Sequence, residues 1–127
     1  PVLLEDFPAP TLRVYPRYTA VAEKVETIST LGIANSRMKD YFDLWVLRQQ
    51  GSFDTEILRS AIAATFARRE RQLPSQVPTG LSEVFSADLQ KQRQWQAFLK
   101  KNQLAQVELA VVVQVLREWL SPLLVEA

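Results

Sequence analysis

The sequence contains no cysteine and no histidine. The first absence excludes disulfides, thiolate nucleophiles and zinc fingers, and the second excludes a Ser/His/Asp triad. Any metal would have to rest on carboxylates. Glycine is scarce, at 3 residues in 127, and with 7 prolines this argues against a fibrous or low-complexity chain. No apolar run approaches the roughly 20 residues needed to cross a bilayer, and no signal or transit segment is visible. The charge is nearly balanced, 15 basic against 14 acidic residues for a net +1, so no global field steers nucleic acid. What is present is 47% hydrophobic and 23% charged residues, the composition of one soluble, cytoplasmic domain able to enclose a single core.

The segment from Pro1 to Pro16 carries four prolines, and its run Thr11-Leu12-Arg13-Val14-Tyr15 alternates as a short strand or extended arm would. It has no partner strand here. Together with a chain that begins at Pro1 rather than Met, this predicts that residues 1–16 are the remnant of a preceding sheet and 17–127 a helical domain. After Pro16 the spacing becomes helical: Tyr18, Val21, Val25 and Ile28 share one face of a helix from Arg17 to Leu31, stopped by Gly32. Asn35-Ser36 precedes a second helix, Arg37 to Gln50, ended by Gly51. Asp54 caps a third, which runs out in Arg68-Arg69-Glu70-Arg71 before Pro74. Leu73 to Gly80 reads as a loop and Leu81 to Phe85 as a helical turn. Ser86 then caps a helix carrying Leu89, Trp95, Phe98 and Leu99. Asn102 ends that helix, and Leu104 to Leu120 is a buried closing helix. The fold class is therefore mainly α, a bundle of about five helices behind a short arm or strand.

Two helices carry charge where apolar groups belong. At about 100° per residue, Lys24 falls between Ile28 and Leu31, while Glu23 points almost directly away. In the second helix Met38, Tyr41, Phe42, Leu44, Trp45, Val46 and Leu47 surround nearly the whole circumference, yet Asp40 projects between Leu44 and Leu47. Asp43 shares that face, and Arg37 stands one turn before Asp40. A buried carboxylate needs partners, and Arg37 and Lys24 are the candidates. Such a cluster either locks two helices together or lines a polar cleft, and both readings fit. Arg68, Arg69, Arg71, Lys91, Arg93, Lys100 and Lys101 could meet RNA phosphates or form a solvated face. Trp45 and Trp95 read as core anchors.

The run Ala22-Glu23-Lys24, the gap to Gly32, and then Asn35-Ser36-Arg37-Met38-Lys39-Asp40-Tyr41-Phe42-Asp43-Leu44 closely resemble the two C-terminal motifs of the AbiEii/AbiGii nucleotidyltransferase toxins. The resemblance continues in weaker form from Pro8-Ala9-Pro10 and Val14-Tyr15-Pro16 to Thr65-Phe66-Ala67-Arg68-Arg69 and Trp95-Gln96-Ala97-Phe98-Leu99. It implies the helical C-terminal half of a polymerase-β-like nucleotidyltransferase. The Gly-Ser motif and the metal-binding carboxylates of such an enzyme belong to the N-terminal half, so no metal ligand is expected in this chain and the chain alone should be inactive. The resemblance also implies a nucleoside triphosphate and Mg2+ as cofactors, RNA such as tRNA as acceptor, and a cognate antitoxin as partner in a defence module. Lys24 matches the lysine that contacts nucleotide phosphate and Asp40 the motif aspartate required for activity, acting as base or orienter. Arg37 is a further nucleotide-binding candidate, and Asp43 is expected to be structural. The competing expectation is a non-catalytic helical module that docks an antitoxin or another subunit.

Overall fold

The computed structural model describes residues 9–125. They form six α-helices: α1 (Ala9–Leu31), α2 (Met38–Gln50), α3 (Thr55–Arg68), α4 (Glu83–Ser86), α5 (Leu89–Lys101) and α6 (Leu109–Leu124). Two 3-10 turns, Gly32–Ala34 and Thr79–Leu81, lie between them. Among the described residues no helix is long and apolar enough to cross a membrane.

The expected strand is not there. Thr11 to Tyr15 lies inside α1, and Pro16 is an interior residue of that helix; Pro1 to Pro8 lie outside the described residues. Five alternating residues cannot decide between the two conformations. A lone strand leaves its N–H and C=O groups unpaired, whereas a helix satisfies them within the segment. That gain outweighs the one backbone bond that Pro16 cannot donate.

The helix ends follow from local chemistry. Asp54 caps α3 as expected, its Oδ1 accepting from the Ile57 amide at 3.0 Å. The cap of α5 is Asp88 rather than Ser86, with Oδ1 accepting from the Lys91 amide at 3.0 Å. Ser86 is instead the buried last residue of α4. Between α5 and α6 the chain does not restart at Leu104. Gln103 adopts φ 56°, and the Leu104 amide returns to the Leu99 carbonyl at 2.9 Å, the Schellman arrangement that closes a helix. The Trp95 indole then donates to the Val107 carbonyl at 2.7 Å, so that carbonyl is anchored on α5 before α6 begins at Leu109.

The core is the sum of the apolar faces that the periodicity marks. Tyr18, Val21, Val25 and Ile28 of α1 meet Leu58, Ile62 and Phe66 of α3. α6 closes the other side with Val112, Val113, Leu116 and Leu120 against α2, α3 and α4. Trp95 and Leu99 bring α5 onto α2. Trp45 is only half-buried, so of the two tryptophans expected in the core Trp95 is the enclosed one.

The loop before α4 is pressed onto this core at one point. The Tyr41 hydroxyl donates to the Gly80 carbonyl at 2.7 Å, and its burial pushes the phenol above its ordinary range. A Cβ on Gly80 would stand 2.7 Å from both Cγ2 and the carbonyl oxygen of Ile28. Backbone cannot yield as a flexible side chain can. Gly80→Ala should therefore lower stability by about 1–3 kcal/mol, seen as a reduced thermal midpoint with unchanged helix content.

Candidate functional site

α1 and α2 present opposite charges to each other across a seam. Lys24 comes from the middle of α1, and Asp40 from the first turn of α2, where the helix dipole favours a carboxylate. Lys24 Nζ lies 3.5 Å from Asp40 Oδ1 and 3.2 Å from Asp43 Oδ2. Arg37 Nε lies 3.2 Å from Asp40 Oδ2, at an angle that leaves this oxygen without a hydrogen-bond donor. Asp43 also accepts from Lys39 at 2.7 Å, which raises the Lys39 ammonium above its usual value. Asp40 is 5% exposed, whereas the Lys24 and Arg37 side chains retain 24% and 61% of their exposure. A buried carboxylate is thus faced by two cations that reach solvent.

These groups border a cavity of about 270 Å³ whose walls include Glu23, Lys24, Thr27, Arg37, Asp40 and Arg69. A second cavity of about 260 Å³ adjoins it, sharing Thr27, Arg37 and Arg69 and adding Glu26, Thr30 and Arg71. The two make one polar furrow along α1 with four cations on its banks. A separate hollow of about 430 Å³ between α1 and α3 has mainly apolar walls, Tyr18, Ile57, Ala61 and Ala64 among them, and no converging ionic cluster.

Sequence reasoning brought Lys24, Arg37, Asp40 and Asp43 together, named Arg69 and Arg71 only as candidate RNA contacts without placing them beside this cluster, and missed Glu26. Glu70 adopts φ 57° and the Arg71 amide returns to the Phe66 carbonyl at 2.8 Å, so the chain turns sharply at the end of α3. That turn swings Arg69 and Arg71 onto α1, where Arg69 hydrogen-bonds Glu26 and Arg71 Nε stands 3.7 Å from it. In sequence these arginines look like ordinary helix-end charges. Glu26, at 4% exposure, gave no signal because it flanks rather than interrupts the apolar stripe. Of the other basic residues expected to meet RNA, Arg68 stands at the edge of this furrow and Lys91 stands apart from it. Arg68 pairs with Glu23 at 3.7 Å. Lys91 is buried, donating to the Asn35 carbonyl at 2.8 Å, and so cannot meet RNA. Its stem ties α5 to the turn that introduces Arg37, and Asn35 Oδ1 in turn accepts from the Arg37 amide at 2.8 Å.

Burial alone would push the Glu26 carboxyl up. Hydrogen bonds from Thr30 and Arg69, with the charges of Arg69 and Arg71, outweigh it and hold the group below its ordinary 4.5. A group depressed in the folded state stabilises the fold above its unfolded value and loses that contribution as pH falls through the folded one. Stability should therefore decline from about pH 4.5 downward in the wild type. Urea midpoints measured across that range should fall less steeply in Glu26→Gln.

No group of three or more acidic residues among those described is placed to hold a metal ion. Asp40 and Asp43 are engaged by ammonium and guanidinium groups instead, so a resident Mg2+ does not fit this carboxylate set.

Fold and site together define a mainly helical protein with a cation-rich cavity between its first two helices. The chain belongs to the AbiEii nucleotidyl transferase toxins of type IV toxin–antitoxin systems, whose family model matches residues 1–115. No curated protein and no solved structure matches the chain.

Proposed function

We propose that this chain holds the triphosphate of a nucleoside triphosphate during nucleotidyl transfer to an RNA acceptor, with tRNA as one candidate. The observation that carries this reading is the convergence of Lys24 and Asp40, from neighbouring helices, on one cavity of about 270 Å³. Lys24 is a point charge able to exchange a carboxylate for a phosphate oxygen, and Arg37 offers a planar fork to the same group. Asp40 then either accepts the proton of the attacking hydroxyl or orients the two cations.

In the transfer, the acceptor oxygen bonds to the α-phosphorus and the bond to the bridging oxygen breaks. Pyrophosphate leaves with that electron pair, and the hydroxyl proton passes to Asp40 or to water. A polymerase-β-like half completing the active site and a cognate antitoxin belong to the same proposal. Any divalent cation accompanying the nucleotide would draw its ligands from groups other than these carboxylates.

A second reading rests on the pairing of Asp40 and Asp43 by Lys24, Lys39 and Arg37, which an architectural lock in an antitoxin-docking module would equally need. Incorporation of labelled nucleotide into RNA by the intact protein separates the two. Asp40→Asn should lose transfer while still binding triphosphate. Wild-type turnover with only a lower melting temperature would leave the architectural reading.

A further inference from the structure

On the far side of Asp40 lies a groove of about 570 Å³ between the start of α2 and the outer face of α5. Its walls include Arg37, Lys39, Asp40, Gln94, Phe98 and Lys101. Only Arg37 and Asp40 also border the 270 Å³ cavity that contains Lys24. The Asp40 carboxylate and Arg37 therefore stand where the two recesses adjoin. Asp40 Oδ1 faces Lys24, and its Oδ2, on the Arg37 side, lacks a hydrogen-bond donor. Transfer between two substrates requires two recesses that meet where the bond forms.

The chemistry of the second recess differs from that of the first. Its rim carries three cations, Arg37, Lys39 and Lys101, all exposed, against the single carboxylate of Asp40. Its wall includes the half-buried ring of Phe98, held in place by Trp95 at 5.9 Å and Phe42 at 6.0 Å between ring centroids. A fixed aromatic ring beside spaced cations suits an unpaired nucleotide strand, whose bases stack on the ring while its phosphates meet the rim. Paired bases keep their faces inside the stack and could not use the ring.

We propose that the α2/α5 groove receives the single-stranded 3′ end of the acceptor RNA, with a base on Phe98, phosphate on Lys101, and the terminal hydroxyl directed at Asp40. This rests on the nucleotidyl-transfer reading and adds to it where the acceptor lies. The 3′ oxygen approaches from the groove, attacks the α-phosphorus held on the Lys24 side, and releases its proton to the Asp40 carboxylate as pyrophosphate departs.

The test is binding of a short single-stranded oligoribonucleotide with a free 3′ hydroxyl, followed by fluorescence anisotropy across a salt series, alongside binding of inorganic triphosphate. Lys101→Ala should weaken RNA binding and lower the salt slope by about 0.7, the value of one single-strand phosphate contact. Phe98→Leu keeps the apolar packing but removes the stacking face, and should cost about tenfold in RNA affinity. Triphosphate binding should be unchanged in both. RNA affinity and salt slope equal to wild type in both variants, or no RNA binding by the wild type, would overturn the groove assignment. Absence of triphosphate binding in the wild type would instead overturn the proposed function, so the two failures are distinguishable.

Discussion

Lys24→Ala should reduce nucleotide incorporation by the intact protein about a hundred- to a thousandfold, the usual effect of removing one preorganised group that meets developing charge. The fold should weaken but survive. Without Lys24, Asp40 keeps Arg37 at 3.2 Å and Asp43 keeps Lys39 at 2.7 Å. Asp40 nevertheless loses its hydrogen bond from Lys24 while staying buried, so the loss of stability should be about 1–3 kcal/mol. Activity and stability would therefore separate, and triphosphate affinity should fall together with turnover. Incorporation at the wild-type rate by Lys24→Ala would remove the lysine from the reaction, whatever the cavity looks like.

The largest expected loss of stability lies elsewhere, at Trp95. Its side chain is fully buried, stacks with Phe98 and joins α5 to the segment before α6 through the bond to the Val107 carbonyl. Trp95→Ala opens a large cavity and leaves that carbonyl without its donor, which should cost about 3–5 kcal/mol. Chemical denaturation with helix content as the readout would show it. Trp95→Phe restores most of the volume but not the donor. It should recover most of the loss, with the remainder measuring the hydrogen bond. Full recovery would mean that the Val107 carbonyl finds another partner.

The parts of this fold that could be read from residues are those decided locally. Asp54 before an apolar stripe gives α3 its start, and Met38, Tyr41 and Leu44 form a buried face of α2 beside Asp40, whereas Phe42, Trp45, Val46 and Leu47, expected to bury the rest of the helix, are only half-buried. The convergence of Lys24 on Asp40 was legible because both sit on apolar faces where a charge must find a partner. What could not be read depended on residues distant in sequence. Thr11 to Tyr15 alternates like a strand, yet without a neighbouring strand the helix satisfies its backbone. Ser86 and Asp88 are equally good caps, and the packing of α4 decides between them. Arg69 and Arg71 join the site through the left-handed Glu70, a conformation no residue type announces there. Lys91 looks like a surface charge because its acceptor, the Asn35 carbonyl, lies 56 positions earlier.

The position of α6 bears on how the molecule comes into being. Tyr41, Leu44, Leu58 and Ile62 are all enclosed, and α6, which packs on both α2 and α3, follows them by dozens of residues. While the chain is being synthesised, those side chains emerge before their cover. At a ribosomal rate of roughly 5–20 residues per second, the seam between α1 and α2 waits seconds for the helix that steadies it. Through that interval the apolar faces of α2 and α3 stay open to chaperones and to misassembly.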